Sequence, residues 1–125
     1  MGTPARAARA LRLGRAGERA AAAYLESLGY EVIGRGFKAR RGEIDIVCRR
    51  RDELVLVEVK TRSSDAFGTP AEAVNAAKQR ALRAAAAEYR VLSRWRGPIS
   101  FAVVSLMADR SGEIVSAELI QEPLA

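Results

Sequence analysis

The sequence contains no histidine and one cysteine, Cys48. Without histidine, these residues cannot form a Ser-His-Asp triad, a Cys-His dyad or a zinc site with imidazole ligands. One cysteine cannot form an intrachain disulfide or a CxxC pair. A metal site in this chain must therefore use carboxylates and carbonyl oxygens, which suit Mg²⁺ or Mn²⁺, with Ca²⁺ as a competitor.

Long apolar runs are missing too. No apolar segment reaches the roughly 18 residues that a membrane-spanning helix needs. The beginning of the chain lacks the apolar core of a secretory signal. Residues 1–13 are basic and contain no acidic residue, a composition shared by organellar transit peptides and by solvated or DNA-facing segments. We favour a flexible basic segment on a cytoplasmic protein that does not enter a membrane.

Basic residues outnumber acidic ones, 21 to 15, which makes the net charge +6 and the pI about 10.2. Such a charge favours a polyanionic partner, either nucleic acid or an acidic membrane. Almost all of this charge is arginine and the chain is rich in alanine, so codon bias also accounts for part of the composition. The 125 residues, 49% of them hydrophobic, suit a single domain over residues 1–125 with one core.

Hydrophobic spacing predicts two helices. The first is expected over residues 14–28, ending at Gly29. Its predicted buried stripe comprises Ala16, Ala20, Ala21, Ala23, Tyr24 and Leu28. The second is expected over residues 69–94, with Thr69, Pro70 and Glu72 forming its N-terminal cap. Its predicted stripe comprises Val74, Ala77, Ala81, Ala85, Tyr89 and Leu92.

Five strands are predicted around these helices. Their ranges are 30–37, 43–50, 53–62, 99–107 and 113–121. Residues 63–68 are expected to form a loop and residues 122–125 a frayed end. The resulting order, αβββαββ, indicates an α/β domain.

Strand alternation brings acidic residues together on two neighbouring strands. In the strand 43–50, Asp45 is expected to point away from the apolar even-numbered positions, which are Ile44, Ile46 and Cys48. In the strand 53–62, valines fill one face. The other face changes from leucine to charged residues, which are Glu58, Lys60 and Arg62. A polar end on such an apolar strand is unusual, because apolar faces on both sides indicate a central strand.

A tight turn at Arg51 and Asp52 would pair the two strands as a hairpin, with Asp45 nearly opposite Glu58. Side chains opposite each other have Cβ atoms roughly 4.5–5.5 Å apart. Two carboxylates at that separation repel unless a cation lies between them. The carbonyl of Val59 is a further candidate ligand. The ammonium of Lys60, on the same face, could neutralise charge on a phosphate in the transition state.

The same pattern has plainer explanations. E-x-K triplets occur by chance, and a solvent-facing polar patch would look alike. Glu18 on the first helix and Gln79 on the second could approach the strand ends. From spacing alone, each of these two is an ordinary surface residue of its helix. For Asp45, Glu58 and Lys60, spacing alone leaves the metal site and the polar patch both open.

Several segments together resemble the YraN family (UPF0102), small bacterial proteins of the PD-(D/E)XK nuclease superfamily. The segments are GERAAAAYLESLGYEVI, GEIDIV, LVLVEVKTRSS, FGTPAEAV and KQR. The resemblance is strongest over residues 14–83. It implies a restriction-endonuclease-like fold, with an αβββαβ core and a mixed sheet flanked by helices. It also implies kinship to archaeal Holliday junction resolvases.

The resemblance implies a role for each candidate residue. Asp45 matches the metal-binding aspartate, and Glu58 and Lys60 match the (D/E)XK pair. Glu18 matches a glutamate that joins the metal shell, and Gln79 a polar residue beside the site. The implied activity is a Mg²⁺- or Mn²⁺-dependent DNA endonuclease, acting on branched or damaged DNA. A junction resolvase would need two such sites, hence a homodimer.

Two segments depart from the family pattern. Ala102 stands where the family tends to carry an aspartate, and LIQEPLA replaces a histidine-containing end. These departures concern oligomer contacts or substrate fit more than metal binding. Residues expected to contact nucleic acid are Arg40, Arg41, Arg49, Arg62 and Arg83. The alternatives are a catalytically silent DNA-binding module with a nuclease fold, and an assembly protein that binds neither metal nor DNA.

Overall fold

The computed structural model describes residues 4–63 and 76–122, with side chains described for residues 15–63 and 76–121. The helices are α1 (Pro4–Ser27) and α2 (Ala76–Ser93). The strands are β1 (Glu31–Lys38), β2 (Glu43–Arg50), β3 (Glu53–Ser63), β4 (Ile99–Ala108) and β5 (Ile114–Glu122). The predicted order αβββαββ and the α/β class are confirmed, and each predicted strand boundary is within one residue.

Some predictions concern residues outside the described ranges. They are the cap formed by Thr69, Pro70 and Glu72, the stripe residue Val74, most of the loop 63–68, and the frayed end after β5. The structure describes α2 from Ala76 onward. No helix within the described ranges is both long and apolar enough to cross a membrane.

The strands form a mixed sheet in the order β1-β2-β3-β4-β5. Strands β3 and β4 pair in parallel, and the other neighbours pair in antiparallel fashion. A parallel pair needs a crossover, and α2 lies in the chain between β3 and β4. The apolar residues of α1 pack on one face of the sheet and those of α2 on the other.

Strand β3 is the centre of the sheet and is apolar on both faces. Leu54, Val55, Leu56 and Val57 are each 1% exposed. The two valines contact the α1 side and the two leucines the α2 side, as the alternation predicts. Because both faces are covered, this strand buries a continuous apolar run. The polar residues that follow it lie where the covered region ends.

The first helix starts earlier and faces the sheet differently than predicted. It begins at Pro4, so most of the basic segment expected to be flexible is helical. Among residues 15–27 the buried residues are Gly17, Ala21, Ala22 and Leu25, whereas Ala23 is exposed and Leu28, just after the helix, is 39% exposed. The predicted stripe was therefore wrong in part. Large Leu25 and the close approach at Gly17 set the rotation of the helix, and small alanines alone do not discriminate between its faces.

The second helix shows a similar correction. Leu82 and Ala85 are buried, whereas the predicted core residues Ala77 and Leu92 are exposed, Leu92 by 66%. The prediction placed the stripe through alanines and missed Leu82. Because Leu82 is larger than its alanine neighbours, its burial stabilises more and determines which side of α2 faces the sheet.

The alternation of β2 breaks at Asp45. Ile46 and Cys48 pack on the α1 side as expected, but Ile44 packs on the α2 side with Val47. The prediction that Ile44 shares the face of Ile46 was wrong. Strand β1 pairs Arg35 with Ile46 and Phe37 with Ile44, so Gly36, with φ of +65°, lies across from Asp45. A residue with positive φ interrupts the pleat, and both strands change face there.

Candidate functional site

Asp45 lies where the β2–β3 hairpin ladder ends. The backbone register runs from the Arg50 and Glu53 pair to the Ile46 and Val57 pair. At the next position the Asp45 side chain replaces a backbone partner, because its Oδ2 accepts a hydrogen bond of 2.8 Å from the Val59 amide. This bond holds the carboxylate between the two strands. The break in the β2 alternation therefore directs Asp45 towards β3.

Burial and neighbouring carboxylates raise the pKa of Asp45 from 3.8 to about 6. Desolvation contributes most, the Val59 hydrogen bond opposes it, and the negative charges of Glu58, Glu43 and Glu18 raise the pKa further. The fold therefore brings Glu58 and Glu18 within electrostatic range of Asp45. It also brings the charge of Glu43 into this range.

The side chain of Glu58 is held by an ion pair with a lysine of α2. Its Oε1 lies 2.8 Å from the Lys78 Nζ of α2, and its side chain is only 14% exposed. The other oxygen, Oε2, is buried and accepts no hydrogen bond from the described residues. A buried carboxylate oxygen without a donor is unfavourable, so it is a ready acceptor for an incoming cation.

These residues fit a hard divalent cation, although they do not form a complete cage. Among the described residues, no three acidic or cysteine side chains form a group that could hold a metal ion. Two carboxylates suffice for Mg²⁺, which usually keeps several waters and takes further oxygens from substrate phosphates. Such a cation would satisfy the Oε2 of Glu58, which has no donor among the described residues, and would relieve the repulsion around Asp45.

The remaining candidates lie on three different elements. Lys60 is exposed and follows Glu58 on the same face of β3, as the alternation predicts. Glu18 is half-buried on α1, one turn before buried Ala22. Gln79 is half-buried on α2. Because α1 and α2 cover opposite faces of the sheet, Glu18 and Gln79 lie on opposite sides of it, and of these two residues Glu18 interacts electrostatically with Asp45.

The predicted nucleic-acid contacts differ in their surroundings. Arg40, Arg41 and Arg83 are exposed and Arg62 is half-buried. Arg49 lies at the hairpin tip, roughly 13 Å along β3 from Glu58 by strand geometry. Its Nε donates to the Arg51 carbonyl and its guanidinium stacks 5.2 Å from the Trp95 ring. These contacts give Arg49 a structural role at the far end of the hairpin.

Lys78 is the site residue that the sequence analysis missed. It lies four positions before buried Leu82 and seven before buried Ala85, so it is on the sheet-facing side of α2. A lysine on that side is unusual and was the signal that could have identified it. The sequence analysis overlooked it because the predicted buried stripe of α2 ran through Ala77 and Ala81, which placed Lys78 outside that stripe.

The raised pKa of Asp45 predicts a pH dependence of stability. Below pH 3.8 Asp45 is protonated in the folded and unfolded chains, and above about pH 6 it is ionised in both. Between these values the folded chain binds the proton more tightly, so this contribution to stability is lost as pH rises. We expect a loss of about 1–2 kcal/mol after solvent screening. Urea unfolding in EDTA across this range measures it, and equal slopes for wild type and Asp45→Asn would contradict it.

Comparison with known proteins places this chain in a family. Residues 17–106 match the profile of the uncharacterised protein family UPF0102. A UPF0102 protein of Rhodococcus opacus is 47% identical over 98 residues, 78% of this chain and 83% of that protein. One from Moorella thermoacetica is 41% identical over 111 residues, 88% of this chain and 92% of that protein. The matched region includes Glu18, Asp45, Glu58, Lys60 and Lys78, and the chain belongs to the uncharacterised protein family UPF0102.

Proposed function

We propose that this protein is a Mg²⁺- or Mn²⁺-dependent nuclease that hydrolyses phosphodiester bonds in DNA. The observation that carries the proposal is the pairing of Asp45 and Glu58 at the end of the β2–β3 ladder. One carboxylate has a pKa raised to about 6 by burial and nearby acids, and the other has a buried oxygen that no donor in the described part of the chain reaches. A divalent cation between them satisfies both conditions.

Each residue has a defined part in this chemistry. Asp45 and Glu58 would hold the metal, and Glu18 would join them from α1. The bound metal would supply Lewis-acid activation of a water and of the phosphoryl oxygen. Lys60 would support the attacking water or neutralise charge on the phosphate in the transition state. Gln79, on α2, would help to orient that water. Such groups must be held in place before the substrate arrives, and the Val59 amide does this for Asp45.

The fold supports this assignment at a coarser level. A mixed sheet with a helix layer on each face, in the order αβββαββ, is compatible with the restriction-endonuclease-like fold of the PD-(D/E)XK superfamily. Asp45 and Glu58, which the resemblance matches to the acids of that superfamily, lie on the adjacent strands β2 and β3. We therefore propose membership of this superfamily, with function resting on the site itself.

The charge of the chain supports DNA as the substrate. A net charge of +6 favours a polyanion, and Arg40, Arg41 and Arg83 are exposed. Arg62 follows Lys60 on β3 and could contact the same strand of DNA. We propose branched or damaged DNA as the substrate class, from the family resemblance. Action on a four-way junction would require a homodimer with two sites.

A cleavage assay tests the proposal. Purified protein with Mn²⁺ is expected to cleave flap, junction or plasmid DNA, and EDTA is expected to stop it. Lys60→Met should lower the rate at least about a hundredfold, because it removes transition-state charge stabilisation. Lys38→Met, at the exposed end of β1, is the matched control and should leave the rate within about twofold. Absence of cleavage, or cleavage unchanged by Asp45→Ala, would refute the proposal.

A catalytically silent DNA-binding module is the second candidate. The specific observation favouring it is that Lys78 already neutralises Glu58, and the described residues hold no three-acid group. This candidate predicts DNA binding that weakens steeply with salt and is unchanged by EDTA. It also predicts that Asp45→Asn leaves DNA affinity and metal response unaltered, which filter binding with and without Mn²⁺ can measure.

A further inference from the structure

The ion pair between Lys78 and Glu58 joins α2 to the candidate metal site. Lys78 Nζ is 2.8 Å from Glu58 Oε1, within charge-assisted hydrogen-bond distance. The Glu58 side chain is 14% exposed and that of Lys78 is 41% exposed. The two side chains differ in how far they can move. Glu58 is short and lies on the central strand, whereas Lys78 has a long aliphatic side chain that is partly exposed to solvent. We therefore expect Lys78, and not Glu58, to move when the ion pair breaks.

We propose that Lys78 is a built-in competitor for the metal: it neutralises Glu58 in the metal-free protein and is released from Oε1 when a divalent cation binds. The inference rests on the metal site of the proposed function. It assigns a positioning role to a residue that neither the spacing nor the (D/E)XK pattern singled out.

Electrostatics between the two cations supports the competition. A metal bound to Glu58 would share this carboxylate with the Lys78 ammonium, and like charges so close together repel strongly in a partly buried site. The ammonium can move into water along its half-exposed stem, which would leave the carboxylate to the metal.

The geometry also shows why the competition is incomplete. Lys78 satisfies Oε1 and leaves Oε2 buried without a donor among the described residues. Asp45 is close enough to Glu58 for its pKa to be raised by that charge, so the pair still carries unbalanced negative charge. A single ammonium therefore stabilises Glu58 but does not balance the negative charge of both Asp45 and Glu58. A divalent cation can replace it.

Metal affinity tests the inference. Titration calorimetry with Mn²⁺ is expected to show at least about fivefold tighter binding by Lys78→Met than by wild type, because a competing charge is removed. Lys38→Met should match wild type within about twofold. If Lys78 had only a structural role, Lys78→Met would lower the free energy of unfolding without increasing the affinity for Mn²⁺. Equal affinities of wild type and Lys78→Met overturn the inference and leave the metal site standing, whereas no Mn²⁺ binding by either overturns both.

A measurement on the wild-type chain covers the case in which Lys78→Met fails to fold. The chain has three lysines, Lys38, Lys60 and Lys78, so ε-¹³C lysine labelling yields few signals. Adding Mg²⁺ should shift the Lys78 signal and leave Lys38 unchanged, while the Val59 amide reports metal at Asp45. A shifted Val59 amide with an unmoved Lys78 signal overturns the inference alone. If neither moves, the metal site and the inference both fail.

Discussion

Replacing Asp45 with asparagine is expected to abolish metal-dependent cleavage and, at the same time, to stabilise the metal-free protein. The rate should fall at least about a hundredfold, because one of two carboxylates that would hold the metal becomes neutral. At pH 8 in EDTA the free energy of unfolding should rise by about 1–2 kcal/mol, after allowing for solvent screening. A stabilising substitution that destroys activity indicates a functional carboxylate.

The opposite signs have one physical cause. At pH 8 the ionised Asp45 is partly desolvated and lies near the charges of Glu58, Glu43 and Glu18. Asparagine removes the charge and keeps an oxygen that can accept the Val59 amide hydrogen bond. Charge repulsion is thereby relieved while the local backbone geometry is retained. Under the proposed function, this repulsion is the cost of keeping two carboxylates in place for a cation.

Urea unfolding and cleavage assays on the same preparations separate the two effects. Glu113→Gln, an exchange of the same type in the turn before β5, is the matched control and should change neither rate nor stability appreciably. A less stable Asp45→Asn protein would contradict the account of repulsion. A fully active one would contradict the role of Asp45 in catalysis.

Gly17→Ala is expected to destabilise the protein by about 1–2 kcal/mol, although alanine is the better helix former. A Cβ at position 17 would overlap the Oγ1 of Thr61 on β3, and it would lie 3.6 Å from Leu106 Cδ1. The helix and the central strand therefore touch where only glycine fits. Because Thr61 is β-branched and stiff at χ1, it cannot rotate away at little cost.

A double-mutant cycle isolates this contact. Thr61→Ala removes the overlapping oxygen, so Gly17→Ala in that background should cost nothing or stabilise the helix. The coupling between the two positions is expected to be about 1–2 kcal/mol by urea unfolding. Additive effects of the two substitutions would contradict a steric contact. Because Glu18 follows Gly17, an overlap here would also displace its carboxylate relative to Asp45 and slow cleavage.

The order of elements could be predicted from sequence because strand alternation and turn residues are local signals. The valine-rich sequence of β3 predicted its central position in the sheet, because a strand that is apolar on both faces has to be covered on both sides. The hairpin at Arg51 and Asp52 then brought Asp45 towards Glu58 through its short turn. The family resemblance added Glu18 and Gln79 to that pair.

The rotations of the two helices could not be predicted in the same way. Alanine-rich helices have several nearly equivalent faces, and the side that packs is chosen by a few larger residues, Leu25 in α1 and Leu82 in α2. The direction of Ile44 was also not predicted, because the break in β2 lies across from a positive-φ glycine on another strand, Gly36. Such effects depend on pairing and packing between segments.

The sequence by itself determined the α/β class and the adjacent strands that carry Asp45, Glu58 and Lys60, because periodicity and turns operate over a few residues. It indicated the family through the segments that resemble other UPF0102 proteins. Only the tertiary structure decided that Asp45 bonds the Val59 amide in the gap between strands, and that Lys78 meets Glu58 across the sheet face. Both contacts depend on where a strand changes face and how a helix is rotated. Those are outcomes of packing over the whole sheet.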